Sequence, residues 1–245
     1  MHSGRTRVPG PRHGLARVLS KRGMCSRSEA ERRIRDGRVQ VDGRIVLDPE
    51  YPTDAASAVI LMDGIETGAA TPHYLMLNKP RGLVTTLSDE QGRDTVYRCF
   101  DGANLGWIAP VGRLDKASEG LLLFSNDPAW AAHITDPSTG PSKCYHVQVD
   151  CIPKAALLAR IAQGIDIDGE HLSAAEANLL RAGEKHAWLE ITLEEGRNRQ
   201  IRRLLAAFDI GVLRLVRVAI GSLKIGDLAK GQWRPLSAAE IQSLS

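Results

Sequence analysis

The chain is organised around the stretch Gly112-Arg113-Leu114-Asp115-Lys116-Ala117-Ser118-Glu119-Gly120, which the apolar run Leu121-Leu122-Leu123-Phe124 follows directly. A glycine-bounded loop rich in ionisable groups thus leads into a segment with the pattern of a buried strand. A strand packed in a core holds such a loop in a fixed position, as a catalytic site requires. Asp115 alone would equally fit a carboxylate that orders a turn, so its role depends on partners elsewhere in the chain.

The composition is that of a soluble globular protein, with 43% hydrophobic and 25% charged residues among 245. The net charge of +3 hides an asymmetry. Up to Val46 the chain has twelve Lys or Arg against four Asp or Glu, whereas the remaining residues have 20 against 25. Such a basic block indicates a polyanionic partner, most simply a nucleic acid, although a solvated helix face is the usual origin of a charge run.

The four cysteines are not arranged as a Cys-x-x-Cys pair or at metal-site spacing, and the seven histidines are scattered. The N-terminus has no apolar signal segment, and no apolar run approaches the length that spans a membrane. We therefore expect a cytoplasmic protein with reduced cysteines, no disulfide, no metal site and no membrane association.

The N-terminal region has the pattern of two short helices followed by hairpins. An apolar helical face begins at Leu15, and Gly23 ends that helix. Ser26 and Glu29 form a capping box for a second helix, which Gly37 ends. Tight Asp-Gly turns follow, each between alternating apolar residues, as in β-hairpins. The outward-facing arginines of the second helix are Arg27, Arg32, Arg33 and Arg35.

The remainder of the chain predicts a second domain of α+β character. Tyr145 alternates with Val147 and Val149 in a predicted strand, which makes it either a core tyrosine or an aromatic platform for a base. The segment Arg197–Arg203 begins an amphipathic helix. We predict a basic flexible tail at 1–13, an N-terminal domain at 14–67, a linker at 68–72 and a second domain at 73–245.

Four motifs in this order, Asn78–Gly82, Gly112–Gly120, Lys143–Val147 and Gly196–Arg203, resemble the RsuA/RluB-type ribosomal RNA pseudouridine synthases. The two N-terminal helices with their hairpin resemble the alpha-L RNA-binding domain, a small fold named after a ribosomal protein. The resemblance implies an α+β protein with this small domain and a catalytic domain built on a mixed, mainly antiparallel sheet flanked by helices.

The resemblance also implies roles for individual residues. Asp115 is the nucleophile, and a basic residue of the last motif pairs with it, at the position of Arg202 with Arg199 as the alternative. Tyr145 stacks on the flipped uracil, and Arg113 occupies the space that the base leaves. Further residues expected to bind RNA are Lys79, Arg81, Lys143, Arg199 and Arg203, together with the four outward-facing arginines of the second helix. Those expected to line the uracil pocket, unless they are merely core, are Leu204 and Leu205.

The expected substrate is one uridine of ribosomal RNA, free or within a ribosome-assembly intermediate, with large-subunit 23S preferred over small-subunit 16S. We expect a monomer that needs no cofactor, and a part in rRNA processing and ribosome biogenesis. The alternative is a non-catalytic RNA-binding ribosome-assembly factor, which gives no reason for Asp115, Tyr145 and Arg202 together. A glycoside-type hydrolase would need a second catalytic carboxylate, and a metal-dependent nuclease would need a ligand cluster.

Overall fold

The computed structural model describes residues 12–68, 71–86 and 91–244. The chain divides into two compact units. The first comprises the residues up to His73 together with Leu105–Ala109 and Asn126–Pro128, and the second comprises the rest. Among the described residues, every helix falls short of the length and apolar character that crossing a membrane requires.

The described part of the first unit contains two helices and two small sheets. In chain order its elements are β1 (Arg12–Gly14), α1 (Leu15–Lys21), α2 (Arg27–Arg35), β2 (Val39–Val41), β3 (Arg44–Ile45), β4 (Pro52–Asp54), β5 (Ile60–Met62) and β6 (Ile65–Glu66). One antiparallel sheet has the order β3-β2-β5-β6, and β1 pairs with β4. The predicted helices and hairpins are thus confirmed, including the Ser26 hydroxyl that accepts from the Glu29 amide.

The predicted tail and linker lie partly outside the described residues, namely at 1–11 and 69–70. Arg12 and His13, which the sequence analysis assigned to the tail, belong to β1 because their main chains pair with Asp54 and Thr53 of β4. The core of this unit is apolar, and its fully buried members include Leu15, Leu19 and Ile34 from the two helices. Helix burial of this kind, rather than helix propensity, stabilises such short helices.

The second unit is built on a nine-stranded sheet. Its elements are β7 (Tyr74–Lys79), a 3₁₀ turn (Val96–Phe100), β8 (Ala109–Val111), β9 (Glu119–Ser125), α3 (Pro128–Thr135), β10 (Lys143–Val149), α4 (Ala155–Gln163), β11 (Ile165–Ile167), β12 (Glu170–Leu172), β13 (Glu176–Ala182), β14 (Ala187–Leu193), α5 (Gln200–Ala206), β15 (Val212–Ile220), β16 (Leu223–Lys224), β17 (Trp233–Pro235) and α6 (Ala238–Gln242). The main path of the sheet runs β13-β14-β10-β15-β9-β7-β17.

Along this path every pair is antiparallel except β9 with β15, so the predicted mixed, mainly antiparallel sheet is confirmed. All seven residues of β9 are buried, as the apolar run predicted. β9 and β15 approach closely at Gly120, which has φ +103°, and a Cβ there would lie 2.2 Å from the main-chain oxygen of Arg217. The loop that carries Asp115 therefore leads directly into a central strand whose position is closely constrained.

Candidate active site

Lys79, at the end of β7, supports the Asp115 loop through hydrogen bonds. Lys79 is fully buried, and its Nζ donates to the main-chain oxygens of Ser118 at 2.8 Å, Pro80 at 3.1 Å and Asp115 at 3.2 Å. Burial lowers its pKa to about 8, against the opposing effect of the Asp115 charge. This arrangement does not support the expectation that Lys79 contacts RNA, because its ammonium is enclosed and already bonded to three carbonyls.

Two further hydrogen bonds fix the same loop. The amide of Gly82 donates to the oxygen of Lys116 at 2.8 Å, and the hydroxyl of Thr85 donates to the oxygen of Leu114 at 2.7 Å. The turn after β7, whose Arg81 is expected to bind RNA, thus also positions the Asp115 loop. Arg81 within this turn is exposed and free of these contacts.

The Asp115 carboxylate is about one-third exposed, and its nearest cation is Arg199, with 3.7 Å between Oδ2 and Nη1. Arg199 immediately precedes α5 and has φ +50° and ψ 31°, in the left-handed region that non-glycine residues seldom adopt. This backbone conformation turns the residue out of the helix. Of the two arginines considered for pairing with Asp115, the structure thus brings Arg199 within ion-pair distance.

Arg202, three residues after Arg199, is less exposed to solvent than Arg199. Its guanidinium donates at 3.4 Å to the oxygens of Ala117 and Val212, and its Nε is buried with no partner among the described residues. Burial lowers its pKa, the neighbouring charge of Arg199 lowers it further, and the charge of Asp115 acts in the opposite direction. Arg202 is therefore close enough to Asp115 to sense its charge while bonding to the main chain of the Asp115 loop.

A cleft of about 610 Å³ opens beside Asp115. Tyr145 lines it from β10 and is 9% exposed, on the face of the strand that also carries Val147 and Val149. Arg113 lies on the same cleft and is exposed, as a residue that meets RNA should be. The structure therefore brings together Asp115, Tyr145, Arg113 and Arg199 around one cavity of the size that a flipped nucleotide needs.

Leu204 and Leu205 are not among the residues that line this cleft, in agreement with the alternative that they belong to the core. Both are fully buried, because they lie one turn further along α5 and face the core. The apolar wall is formed instead by Ile201 at the start of α5, with Leu193 and Leu215 from two strands. Arg203 is not among the lining residues either, and its guanidinium pairs with Glu170 at 2.7 Å.

Two buried charged residues were not predicted. Arg217 on β15 is 5% exposed and lines the floor of the cleft, beside Lys143, which is 9% exposed. Glu119, at the start of β9, is 3% exposed at its side chain and is bonded by Arg214 through two 3.0 Å contacts and by Lys230. Burial favours a raised pKa for Glu119, but these hydrogen bonds hold it below its ordinary value. A charged residue inside an apolar strand pattern was the available signal for both.

The arginines predicted on α2 are present on its surface, but each is paired with a carboxylate. Arg32 bonds Glu29 at 2.7 Å, Arg35 lies 3.6 Å from Glu31, and Arg27 bonds Glu50 at 2.9 Å. Arg33 is the least exposed and bridges Glu29 and Asp63, so it ties the helix to a hairpin turn. Its role in this structure is therefore to join elements within the first unit.

Taken together, the fold and the cleft define a protein of two units, a small one of helices and hairpins and a larger one whose mixed sheet places Asp115, Tyr145 and several basic side chains on one cleft. The family described as RNA pseudouridylate synthase matches residues 73–207, and the S4 domain matches residues 14–57. The chain belongs to the RNA pseudouridylate synthase family, and it is an isomerase that converts uridine to pseudouridine in RNA.

Relatives and a solved structure agree with this assignment. The chain is 37% identical over 235 residues to an uncharacterized RNA pseudouridine synthase of Mycobacterium tuberculosis, covering 94% of this chain and 92% of the relative. It is 34% identical over 223 residues to one of Rickettsia prowazekii, covering 91% and 94%. A crystal structure of a pseudouridylate synthase is similar with a TM-score of 0.67 and 30% identity, covering 96% of this chain and all of that one.

Proposed function

We propose that this enzyme isomerises one uridine of ribosomal RNA, with Asp115 as the nucleophile and the target base flipped into the cleft. The observation that carries the proposal is the position of the Asp115 carboxylate, which lies on the cleft with Tyr145 and within 3.7 Å of Arg199. A carboxylate of this kind needs a neighbouring cation to remain ionised once a nucleotide displaces water from the cleft.

The chemistry follows from this arrangement. The Asp115 oxygen attacks C1′ of the ribose, and the bond from C1′ to N1 breaks with its electron pair passing to the uracil ring. The freed base turns within the cleft, its C5 bonds to C1′, and the carboxylate recovers the electron pair of its ester bond. Loss of the proton from C5 and uptake of a proton at N1 complete the isomerisation. No cofactor takes part, because no net oxidation or group transfer occurs.

The neighbouring residues bind and orient the nucleotide. Tyr145 offers an aromatic face on which a base stacks, a contact worth about 1–3 kcal/mol. Arg113, exposed on the cleft, fills the space that the extruded base leaves in the RNA and so offsets part of the cost of flipping. Arg199 and Arg202 lie near the Asp115 carboxylate, and their positive charges favour its ionised form. Arg81, which is exposed, contacts the phosphates that flank the target.

The first unit supplies additional RNA affinity. Arg27, Arg32 and Arg35 keep side-chain exposures of 57%, 66% and 62% despite their ion pairs, so they can exchange carboxylate partners for phosphates. We propose large-subunit 23S rRNA, free or in an assembly intermediate, as the substrate in preference to 16S rRNA. We further propose that the enzyme acts as a cytoplasmic monomer during ribosome biogenesis. The choice of ribosomal RNA and of the large subunit rests on the resemblance of the sequence motifs to the RsuA/RluB type.

The test is pseudouridine mapping of total cellular RNA, ribosomal and transfer RNA together, by carbodiimide-dependent reverse-transcription stops. Cells with the protein, cells without it and cells complemented with the wild-type chain are compared. We expect one stop in 23S rRNA to disappear on deletion and to return on complementation. A lost stop in 16S rRNA would correct the subunit, and loss of stops only in transfer RNA would overturn the ribosomal assignment. Adding purified protein to naked 23S rRNA and to isolated subunits from the deletion strain then identifies the form of the substrate.

A further inference from the structure

Two cations lie at the floor of the active-site cleft without a carboxylate partner among the described residues. Lys143 is 9% exposed and Arg217 is 5% exposed, and both line the cleft. Lys143 and Arg217 lie on the paired strands β10 and β15, and the pKa of Lys143 is lowered first by burial and then by the charge of Arg217. Enclosing two like charges is unfavourable unless something else compensates for the lost hydration.

Arg217 is only partly satisfied by the protein. Its Nε donates to the main-chain oxygen of Leu121 at 2.8 Å, which fixes the guanidinium plane. Its Nη2 is buried, yet within 12–68, 71–86 and 91–244 no acceptor lies within hydrogen-bond distance of it. Buried donors are almost always bonded, so a free one at the floor of a catalytic cleft indicates a place for a ligand acceptor.

The register of the sheet places Arg217 on the same face as Tyr145, beside the proposed position of the substrate base. Arg217 pairs with Tyr145 across β10 and β15, directly after an irregularity between Cys144 and Tyr145. Cross-strand partners share one face of a sheet, so Arg217 lies beside the tyrosine ring on the cleft side. Bulges commonly redirect side chains next to active sites. A base stacked on Tyr145 therefore brings its edge toward Arg217.

The acceptor is better explained as a base oxygen than as a phosphate. The exposed arginines Arg113 and Arg199 lie at the solvent side of the cleft, where the RNA backbone remains hydrated. Arg217 and Lys143 line the same cleft but are almost fully buried, so an extruded base can approach them more closely than a hydrated phosphate can. Both are donors only, and uracil presents two carbonyl oxygens to such groups, whereas cytosine places an amino group at one of these positions.

We propose that Arg217, assisted by Lys143, bonds a carbonyl oxygen of the target uracil and stabilises the uracil anion that forms when the bond from N1 to C1′ breaks. This inference rests on the proposed function. When that bond breaks, its electron pair enters the ring, and the negative charge spreads over N1 and the two carbonyl oxygens. A fixed cation at one of those oxygens stabilises the anion more than the neutral base, so it accelerates the reaction. The same donors favour uridine over cytidine.

The experiment measures single-turnover conversion by Arg217→Gln and Arg217→Lys. The substrate is a 23S rRNA transcript that spans the uridine located by mapping, made with either uridine or 5-fluorouridine. Loss of the starting nucleoside is followed by digestion and chromatography with mass spectrometry, because uridine and pseudouridine have equal masses. 5-Fluorouridine has no C5 proton to lose, so its rearranged product retains fluorine with an N1–C6 double bond, and loss of the starting nucleoside is the readout common to both RNAs. RNA affinity is measured by filter binding. Arg181→Gln is the matched control. Arg181 lies on the edge strand β13, its guanidinium packs over the ring of Trp188 on β14, and it is not among the residues that line the cleft.

With uridine RNA we expect Arg217→Gln to slow conversion by about 10²–10³-fold, the loss typical of removing one donor to a developing anion, with little change in RNA affinity. Fluorine itself stabilises the uracil anion, so with 5-fluorouridine RNA the loss should shrink at least tenfold. Arg217→Lys should recover part of the rate, and Arg181→Gln should match wild type. Lys143→Met should show the same dependence on fluorine, with a smaller loss.

Equal losses on the two RNAs would overturn the proposal, since a merely structural role does not respond to fluorine. A loss confined to RNA affinity would also overturn it and assign the two cations to a phosphate. Melting curves monitor folding, and if Arg217→Gln does not fold, Arg217→Lys and Lys143→Met decide the question by the same comparison. Failure of the wild-type protein to convert the uridine transcript would instead contradict the proposed function, so the two failures are distinguishable.

Discussion

The side-chain nitrogen of Lys79 lies 3.2 Å from the main-chain oxygen of Asp115, so the residue before the turn directly supports the residue proposed as nucleophile. The same nitrogen also bonds the oxygens of Pro80 and Ser118. One buried cation thus joins the end of β7 to both ends of the short Asp115–Ser118 segment. The position of the carboxylate depends on this contact as well as on the strand that follows.

Lys79→Met removes the donor and leaves three main-chain oxygens without it. We expect a loss of about 1–3 kcal/mol in the free energy of unfolding at pH 7, because each buried acceptor left unbonded is costly. The single-turnover rate should fall while RNA affinity and its salt dependence stay unchanged, since Lys79 is fully buried. Urea denaturation and filter binding measure these effects, with Lys224→Met on β16 as the exposed control. A reduced salt dependence of binding would show that Lys79 contacts phosphate after all.

The buried ammonium also predicts a pH dependence of stability. The pKa of Lys79 is about 8 in the folded protein against an ordinary 10.5, so between these pH values the unfolded chain binds more protons than the folded one. Stability from this group therefore rises as the pH increases from about 8 to 10.5, by up to about 3 kcal/mol.

Comparison with Lys79→Met isolates this contribution from those of other groups. The difference in free energy of unfolding between wild type and Lys79→Met should grow across the pH range of 8 to 10.5, measured by urea denaturation at several pH values. A difference that stays constant would show that the ammonium keeps its ordinary pKa. Tyr97, whose pKa burial raises to about 12, is present in both proteins and cancels.

Arg199 and Arg202 should differ in the effect of their replacement by alanine. Arg199 is 53% exposed at its side chain and contacts Asp115, so Arg199→Ala should slow single-turnover conversion by roughly 10- to 100-fold without lowering stability, as expected for loss of one stabilising charge. Arg202 bonds the main chain at Ala117 and Val212, so Arg202→Ala should lower both rate and stability. Slower conversion by both variants, with a lower melting temperature for Arg202→Ala alone, would support this assignment. A rate unaffected by Arg199→Ala would leave Arg202 as the partner of Asp115.

Glu119 is predicted to be a structural residue. Its carboxylate bonds Arg214 and Lys230, and Glu119→Gln leaves both cations without their counter-charge beside a buried amide. Because Arg214 and Lys230 are themselves partly exposed, we expect a modest loss of about 1–2 kcal/mol in the free energy of unfolding. Glu194→Gln, at an exposed position, should leave stability within about 0.5 kcal/mol of wild type. A loss of activity by Glu119→Gln at unchanged stability would instead place Glu119 in the chemistry.

Local patterns in the sequence were sufficient for most of the fold. The apolar run Leu121–Phe124 is a buried strand, Ser26 caps α2, and Ser237 with Glu240 forms a capping box at α6. Each of these features depends on residues a few positions apart, whose period and caps are visible in the chain itself. The mixed sheet was expected from the resemblance rather than from these patterns.

The site was predicted less completely, because its contacts join distant parts of the chain. Glu119 and Arg214 are 95 residues apart, and Lys79 reaches the Asp115 loop over 36 residues. No local pattern tells whether a lysine at a strand end turns outward to solvent or inward to main-chain oxygens. For the same reason the sequence did not indicate that Arg217 is buried. In β15 it shows only an alternation of residue types, which does not tell which face of the strand turns inward.

The measurement that tests the account most directly is single-turnover conversion by Asp115→Asn, on the 23S rRNA transcript that wild-type protein modifies. The exposed Asp227→Asn serves as the matched control. We predict that Asp115→Asn binds the RNA with wild-type affinity and melts at the wild-type temperature, yet forms pseudouridine more than about 10³-fold more slowly, while Asp227→Asn matches wild type. Conversion by Asp115→Asn at a rate near that of wild type would show that another residue is the nucleophile and would contradict the central claim.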